Sequence, residues 1–159
     1  MTTYNADNYE EQGGSNLVIG GTLTINGTVT VSDTATAVPF VRVTKVALAA
    51  GTAGGGVLSW ANPAGASIIV HHIILDITTQ STGASTIDVG VAANGTTSSD
   101  TLIDGVSGAA AGVFNSATHA GSNGGMVRKV TSTQFVTASQ ASGAVAGLVG
   151  SAYIAWSLA

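Results

Sequence analysis

The sequence predicts an all-β protein: a β-sandwich or jelly-roll-like C-terminal domain over residues 38–159, preceded by an extended N-terminal β arm or hairpin over residues 1–37. Three observations carry this expectation. Roughly eight short runs rich in Val, Ile, Thr and Leu, divided by Gly, Asn, Ser and Pro, follow one another through the C-terminal part, the spacing of a sandwich or barrel. The chain is 45% hydrophobic but only 5% aromatic and carries 22 glycines, which suits thin sheets better than deep clefts. At 159 residues it is long enough for one ordinary domain and an appendage.

Residues 1–15 are polar, end in Gln-Gly-Gly-Ser and show no apolar period, which reads as a flexible or partner-ordered arm. Residues 16–31, NLVIGGTLTINGTVTV, alternate Thr22 and Thr24 with Leu23 and Ile25, then turn at Asn26-Gly27, then set Thr28 and Thr30 against Val29 and Val31. Two short alternating runs around Asn-Gly predict a hairpin. Such a ribbon has one small apolar face and is marginal alone in water, so it needs a partner surface. The partner surface is the main domain, the same segment of sister chains or another protein's sheet, and Leu17, Val18, Ile19, Leu23 and Ile25 are the candidate attachment or subunit-interface residues.

Beyond a Thr/Ala linker, residues 38–48 predict a strand with polar groups on both faces, opened by Pro39. The Gly-rich run 51–56 predicts a turn, residues 57–60 a short strand, and Asn62-Pro63-Ala64-Gly65 another turn. Residues 67–79, SIIVHHIILDITT, form the most strand-like segment, with Ile69, His71, Ile73, Leu75 and Ile77 sharing one phase. Residues 85–92 predict the next strand. The polar stretch 93–125 predicts surface loops with short elements around 101–103 and 109–114. Three more strands are expected within 126–132, 133–140 and 150–159.

Charge narrows the functional classes. Only 8% of residues are charged, against about a quarter in a typical soluble domain, so Thr, Ser, Asn, Gly and Ala must cover much of the surface. Such a surface repels itself weakly, which favours burial between subunits or against a larger assembly. The four bases fall as Arg42 with Lys45 and Arg128 with Lys129 and form no basic stripe, so nucleic acid is not an expected partner. No apolar run reaches the roughly 18 residues of a membrane span, and none of the first fifteen residues is basic, as a secretory signal would require. No membrane partner and no Sec export are expected. Without cysteine there is neither a disulfide nor a thiolate metal site.

Residues able to do chemistry are present but poorly arranged for it. His71 and His72 are adjacent, so on a regular strand they point to opposite faces; core or interface histidines are the plainer reading, a catalytic or metal site the sharper one. Asp100 and Asp104 lie in a loop at a spacing that fits neither a calcium loop nor a paired cleft, which favours turn capping. No serine stands in a G-x-S-x-G context, and the Gly51 to Gly56 run lacks the Gly-Lys-Ser/Thr ending of a phosphate loop. Arg128 and Lys129 read as an edge-strand charge pair. Trp60, Tyr153 and Trp156 could line a sugar-binding face, but Tyr153 and Trp156 differ by three and face opposite sides, so core packing is the plainer reading. No catalytic residue, cofactor or metal is expected.

Three segments, NLVIGGTLTINGTVTV, LDITTQSTGASTIDVGVAANGTTSSDTLIDG and FVTASQASGAVAGLVGSAYIAWS, together resemble the head fibre and head decoration proteins of tailed bacteriophages. The resemblance covers most of the chain from residue 16 onward, and the ordered set of DVG, LIDG and the terminal GLVG and AYI segments is its more specific part. It implies a non-enzymatic structural protein on the outer surface of the virion capsid, commonly a homotrimer at threefold or quasi-threefold positions, with the major capsid protein as partner. One short repeat segment in place of a long shaft points to a compact decoration or cementing protein that stabilises the shell. The competing expectation is a carbohydrate-binding or adhesive module of a phage surface fibre, reading host glycans through an exposed Trp60 and the loops around residues 94–125.

Overall fold

In a computed structural model of the chain, the described residues are 8–10, 17–19 and 41–159. The chain divides into two compact units, Met1–Ala37 and Val38–Ala159. In the first, strand β1 (Asn8–Glu10) pairs antiparallel with β2 (Leu17–Ile19), Tyr9 opposite Val18. This ladder is not the one the Asn26-Gly27 signal predicts, and it recruits residues whose polar composition gave no strand signal. The predicted hairpin, with Leu23 and Ile25, and Pro39 lie outside the described residues.

The second unit is a β-sandwich. Its strands are β3 (Arg42–Leu48), β4 (Leu58–Ala61), β5 (Ile68–Thr79), β6 (Ser85–Ala92), β7 (Ile103–Ser107), β8 (Gly112–Asn115), β9 (Arg128–Val130), β10 (Phe135–Gly143) and β11 (Val149–Leu158). One sheet has the order β4-β10-β6-β7; the other has β3-β11-β5-β8, with β9 also paired to β5. All the pairings are antiparallel. If β8 and β9 are taken as one interrupted edge, the chain crosses between sheets at every step except β6 to β7, which is jelly-roll order.

Alternation along each strand builds one core between the sheets. Ile73, Leu75 and Ile77 of β5 and Ala152, Ile154 and Trp156 of β11 meet Ile87 and Val89 of β6 and Val136 and Ala138 of β10. The Trp60 and Trp156 rings lie 6.1 Å apart, tilted by 55°. Both are buried, as the core reading of these residues expects, while Tyr153 faces outward beneath the Lys45 ammonium.

The phase of β5 departs from the sequence expectation. Ala155 pairs with His72 but Trp156 pairs with Val70, so His71 is an extra residue, a bulge on β5. The buried series therefore runs Ile68, Val70, then Ile73, Leu75, Ile77, and Ile69 does not share the inward phase of Ile73. One inserted residue shifts the side-chain alternation by one, which sends everything on one side of it to the other face.

The two outer faces are unlike. On β10, Thr137 and Ser139 point away from the core yet are as buried as Val136 and Ala138. Loops 51–56 and 94–99 lie over them: the Gly55 amide donates to Ser139 Oγ at 2.7 Å, and Thr137 Oγ1 donates to the Thr97 carbonyl at 2.9 Å. Gly55 has φ +67°, and a Cβ there would run into the Gly95 carbonyl oxygen, so glycine permits this close stacking of loops. The outer face of the five-stranded sheet has no such cover from these loops.

Candidate functional site

The uncovered face of the five-stranded sheet is the candidate functional surface. The register aligns Val43, Ala155 and His72 in one row, Lys45, Tyr153, Ile74 and Asn115 in the next, and Ala47, Ser151, Asp76 and Val113 in a third. Apolar groups here are exposed: Val43 by 64% and Val113 by 63%, beside Val41 at the start of the edge strand. Val43 and Val113 stand at opposite edges of this face, on β3 and β8, with half-buried Ala155, Tyr153, Ile74, Ser151 and Asp76 between them.

The histidine pair lies on this side. The bulge puts both His71 and His72 outside the buried series, which corrects the expectation of opposite faces. Their stretch of β5 falls between the pairing of Ile68–Val70 with β9 and that of Ile74–Ile77 with β8. Across the break, the Ser116 amide donates to the Ile73 carbonyl and the Ile73 amide donates to Ser116 Oγ. His71 Nε2 lies 2.9 Å from Ser157 Oγ and so is engaged within the sheet. Among the described residues, no group of three or more His, Asp or Glu side chains has metal-binding geometry.

The aspartates do structural work. Asp104 Oδ2 accepts the amides of Ser122 and Asn123 at 3.1 and 3.2 Å, and Asp100 Oδ2 accepts from Asn123 Nδ2 at 2.9 Å. They cap the loop after β8, as their spacing suggested. Asp88 on β6 accepts the Gly105 amide at 2.9 Å. Its carboxyl is held above the ordinary carboxylate value, first by burial and then by the negative charges of Asp104 and Asp100, with the Gly105 bond opposing.

One buried polar residue stands out from a segment read only as a turn. Asn62 Nδ2 donates to the carbonyls of Ala66, Thr131 and Val130 at 2.9, 3.0 and 3.2 Å, while Oδ1 accepts the Ala64 amide at 2.9 Å. It ties the β4–β5 turn to the end of β9. The turn signal was legible; the buried role was not, because two of the three carbonyls come from residues 68 and 69 positions away.

Of the other sequence candidates, Leu17, Val18 and Ile19 form β2 and pair with Glu10, Tyr9 and Asn8 respectively. The 51–56 run closes as a turn through the Gly56 amide to the Ala53 carbonyl at 2.8 Å. Arg128 and Lys129 lie on the short edge strand β9. Trp60, expected exposed by the carbohydrate reading, is 8% exposed and packed into the core, because its position on β4 is opposite the inward Val136. No helix of the described residues is long and apolar enough to cross a membrane. Comparison of the chain with protein-family models, with curated proteins and with solved structures gives no match.

Proposed function

We propose that this protein is a structural virion component: a capsid decoration or cementing protein on the outer surface of a tailed-phage head, acting as a homotrimer with the major capsid protein as partner. What supports the reading is a small N-terminal unit, Met1–Ala37, in the same chain as a jelly-roll body whose five-stranded sheet bears exposed Val43 and Val113 on its outer face and whose Asp88, Asp100 and Asp104 are engaged in structural hydrogen bonds. A body of this design offers surfaces rather than a reaction site. The three resembling segments point the same way. The carbohydrate reading loses support, since Trp60 supplies no aromatic platform.

The mechanism is mechanical. A protein that binds only the assembled shell shifts the assembly equilibrium towards it, by about 2.7 kcal/mol per site at a hundredfold excess over Kd. Threefold multiplicity turns weak single contacts into strong retention, because the second and third attachments are intramolecular. In this scheme residues 1–37 attach to the shell or tie subunits together, with Leu17, Val18, Ile19, Leu23 and Ile25 as contact residues.

The test is heat. Purified shells saturated with the full-length protein are expected to release their contents at a higher temperature than bare shells, by several degrees. Identical release profiles at saturating protein would refute the cementing role.

A further inference from the structure

The jelly-roll order sorts charge as well as hydrophobicity. All four Lys and Arg residues of the chain lie on strands of the five-stranded sheet: Arg42 and Lys45 on β3, Arg128 and Lys129 on β9. Of the four acids in the sandwich, only Asp76 lies there; Asp88, Asp100 and Asp104 lie on β6, β7 and the loop between them. Lys45 shares the open face with Val43, His72, Tyr153 and Ile74. The three aspartates are close enough for Asp100 and Asp104 to raise the Asp88 carboxyl. Arg42, paired with Trp156 and lying over its ring, and Arg128, paired with Val70, keep the inward phase at the sheet edges, so the open face itself carries Lys45 and Lys129 against the single acid Asp76. That face thus has a small excess of positive charge among its apolar groups, and the β6–β7 margin is negative.

We propose that the open face of the five-stranded sheet is the docking site for a second copy of this chain, which presents its β6–β7 margin head to tail. Face-to-face pairing would set Lys45 and Lys129 against a surface of the same sign, whereas the acidic margin of a neighbour complements them. On the other sheet, Thr137 and Ser139 of β10 are covered by loops 51–56 and 94–99, whereas among the described residues the outer face of the five-stranded sheet keeps Val43, Lys45 and Val113 exposed. Because face and margin are different surfaces, the contact is heterologous, and it closes into a ring when its rotation permits. The inference rests on the self-association in the proposed function and is independent of the shell.

Sedimentation velocity on the full-length chain tests it. Two variants are used: Val43→Glu with Lys45→Glu at exposed positions on the face, and Asp100→Lys at a half-buried position on the margin, where it also removes the bond from Asn123 Nδ2, with circular dichroism and melting temperature checking that each remains folded. Each variant alone is expected to dissociate at concentrations at least about tenfold above those at which the wild-type chain does, at low ionic strength. Mixed together they are expected to recover association, because the unaltered margin of the first meets the unaltered face of the second. A folded Asp100→Lys chain that associates like wild type overturns the margin assignment; wild-type behaviour of the face variant, failure of the mixture to associate, or a wild-type chain that stays monomeric overturns the contact. Association through this face by a chain that leaves shells bare would instead refute the decoration reading alone.

Discussion

Trp156→Ala is expected to lower the unfolding free energy by about 4 kcal/mol, the range for removing a buried aromatic side chain. Trp156 lies on β11, inside the five-stranded sheet, and its indole fills the space between the sheets against Trp60. Its Nε1 donates to Thr44 Oγ1 at 3.0 Å and the Arg42 guanidinium lies 5.1 Å from the ring centroid, so the same side chain anchors edge strand β3. Alanine removes the packing, the hydrogen bond and the cation–π contact together. Trp156→Phe keeps a ring and loses the donor, and a smaller loss of roughly 1–2 kcal/mol is expected. Urea unfolding of the two variants checks both values; a loss below about 1.5 kcal/mol for alanine would contradict this account of the core.

Asn62→Ala is expected to cost about 3 kcal/mol, although the residue deleted is polar and lies in a turn. The buried side chain serves three carbonyls and one backbone amide; the bond to Val130 is buried and the other three are half-buried, so removal costs four bonds at once and takes this partner from the buried Val130 carbonyl. Asn62→Asp is nearly isosteric and is expected to be no better at neutral pH, because it replaces the donating NH2 with an oxygen facing three carbonyl oxygens. Denaturant titrations of both variants read this out. A loss below about 1 kcal/mol for either would show that the corner is not held by this side chain.

These two residues also show how far the fold was legible in the sequence. Alternation and turn residues marked nearly every strand of the sandwich, because each inward position must be apolar and each reversal needs Gly, Asn or Pro. The inward phase of β5 was misread at His71 because a bulge is decided by the partner strand β11, and one inserted residue leaves local composition unchanged. Thr137 and Ser139 alternate with the inward Val136 and Ala138, yet they are buried by loops 51–56 and 94–99, more than thirty positions away in the chain. In the N-terminal unit, Asn8–Glu10 forms a strand without the apolar alternation that announces one.

The candidate surface was less legible still. The two basic pairs were visible as Arg42 with Lys45 and Arg128 with Lys129, but nothing local says that jelly-roll order brings β3 and β9 into one sheet and leaves Asp88, Asp100 and Asp104 on the other side. Val43 fell in a predicted strand and Val113 in a short element of a loop region; only the register places them on one outer face, in rows with Ala155, His72, Ser151 and Asp76. The weak overall charge predicts burial in an assembly, and the docking face proposed above is where that burial would fall.

The central claim is that this chain decorates a phage shell and that its N-terminal unit makes the attachment. The most direct measurement is the number of copies retained on purified shells, counted by electron cryo-microscopy, for the full-length chain and for a chain lacking residues 1–31. The account predicts density at threefold or quasi-threefold positions for the full-length protein and bare shells for the truncated one. Full occupancy by the truncated chain would contradict the attachment role of residues 1–31, and bare shells at saturating full-length protein would contradict the decoration function itself.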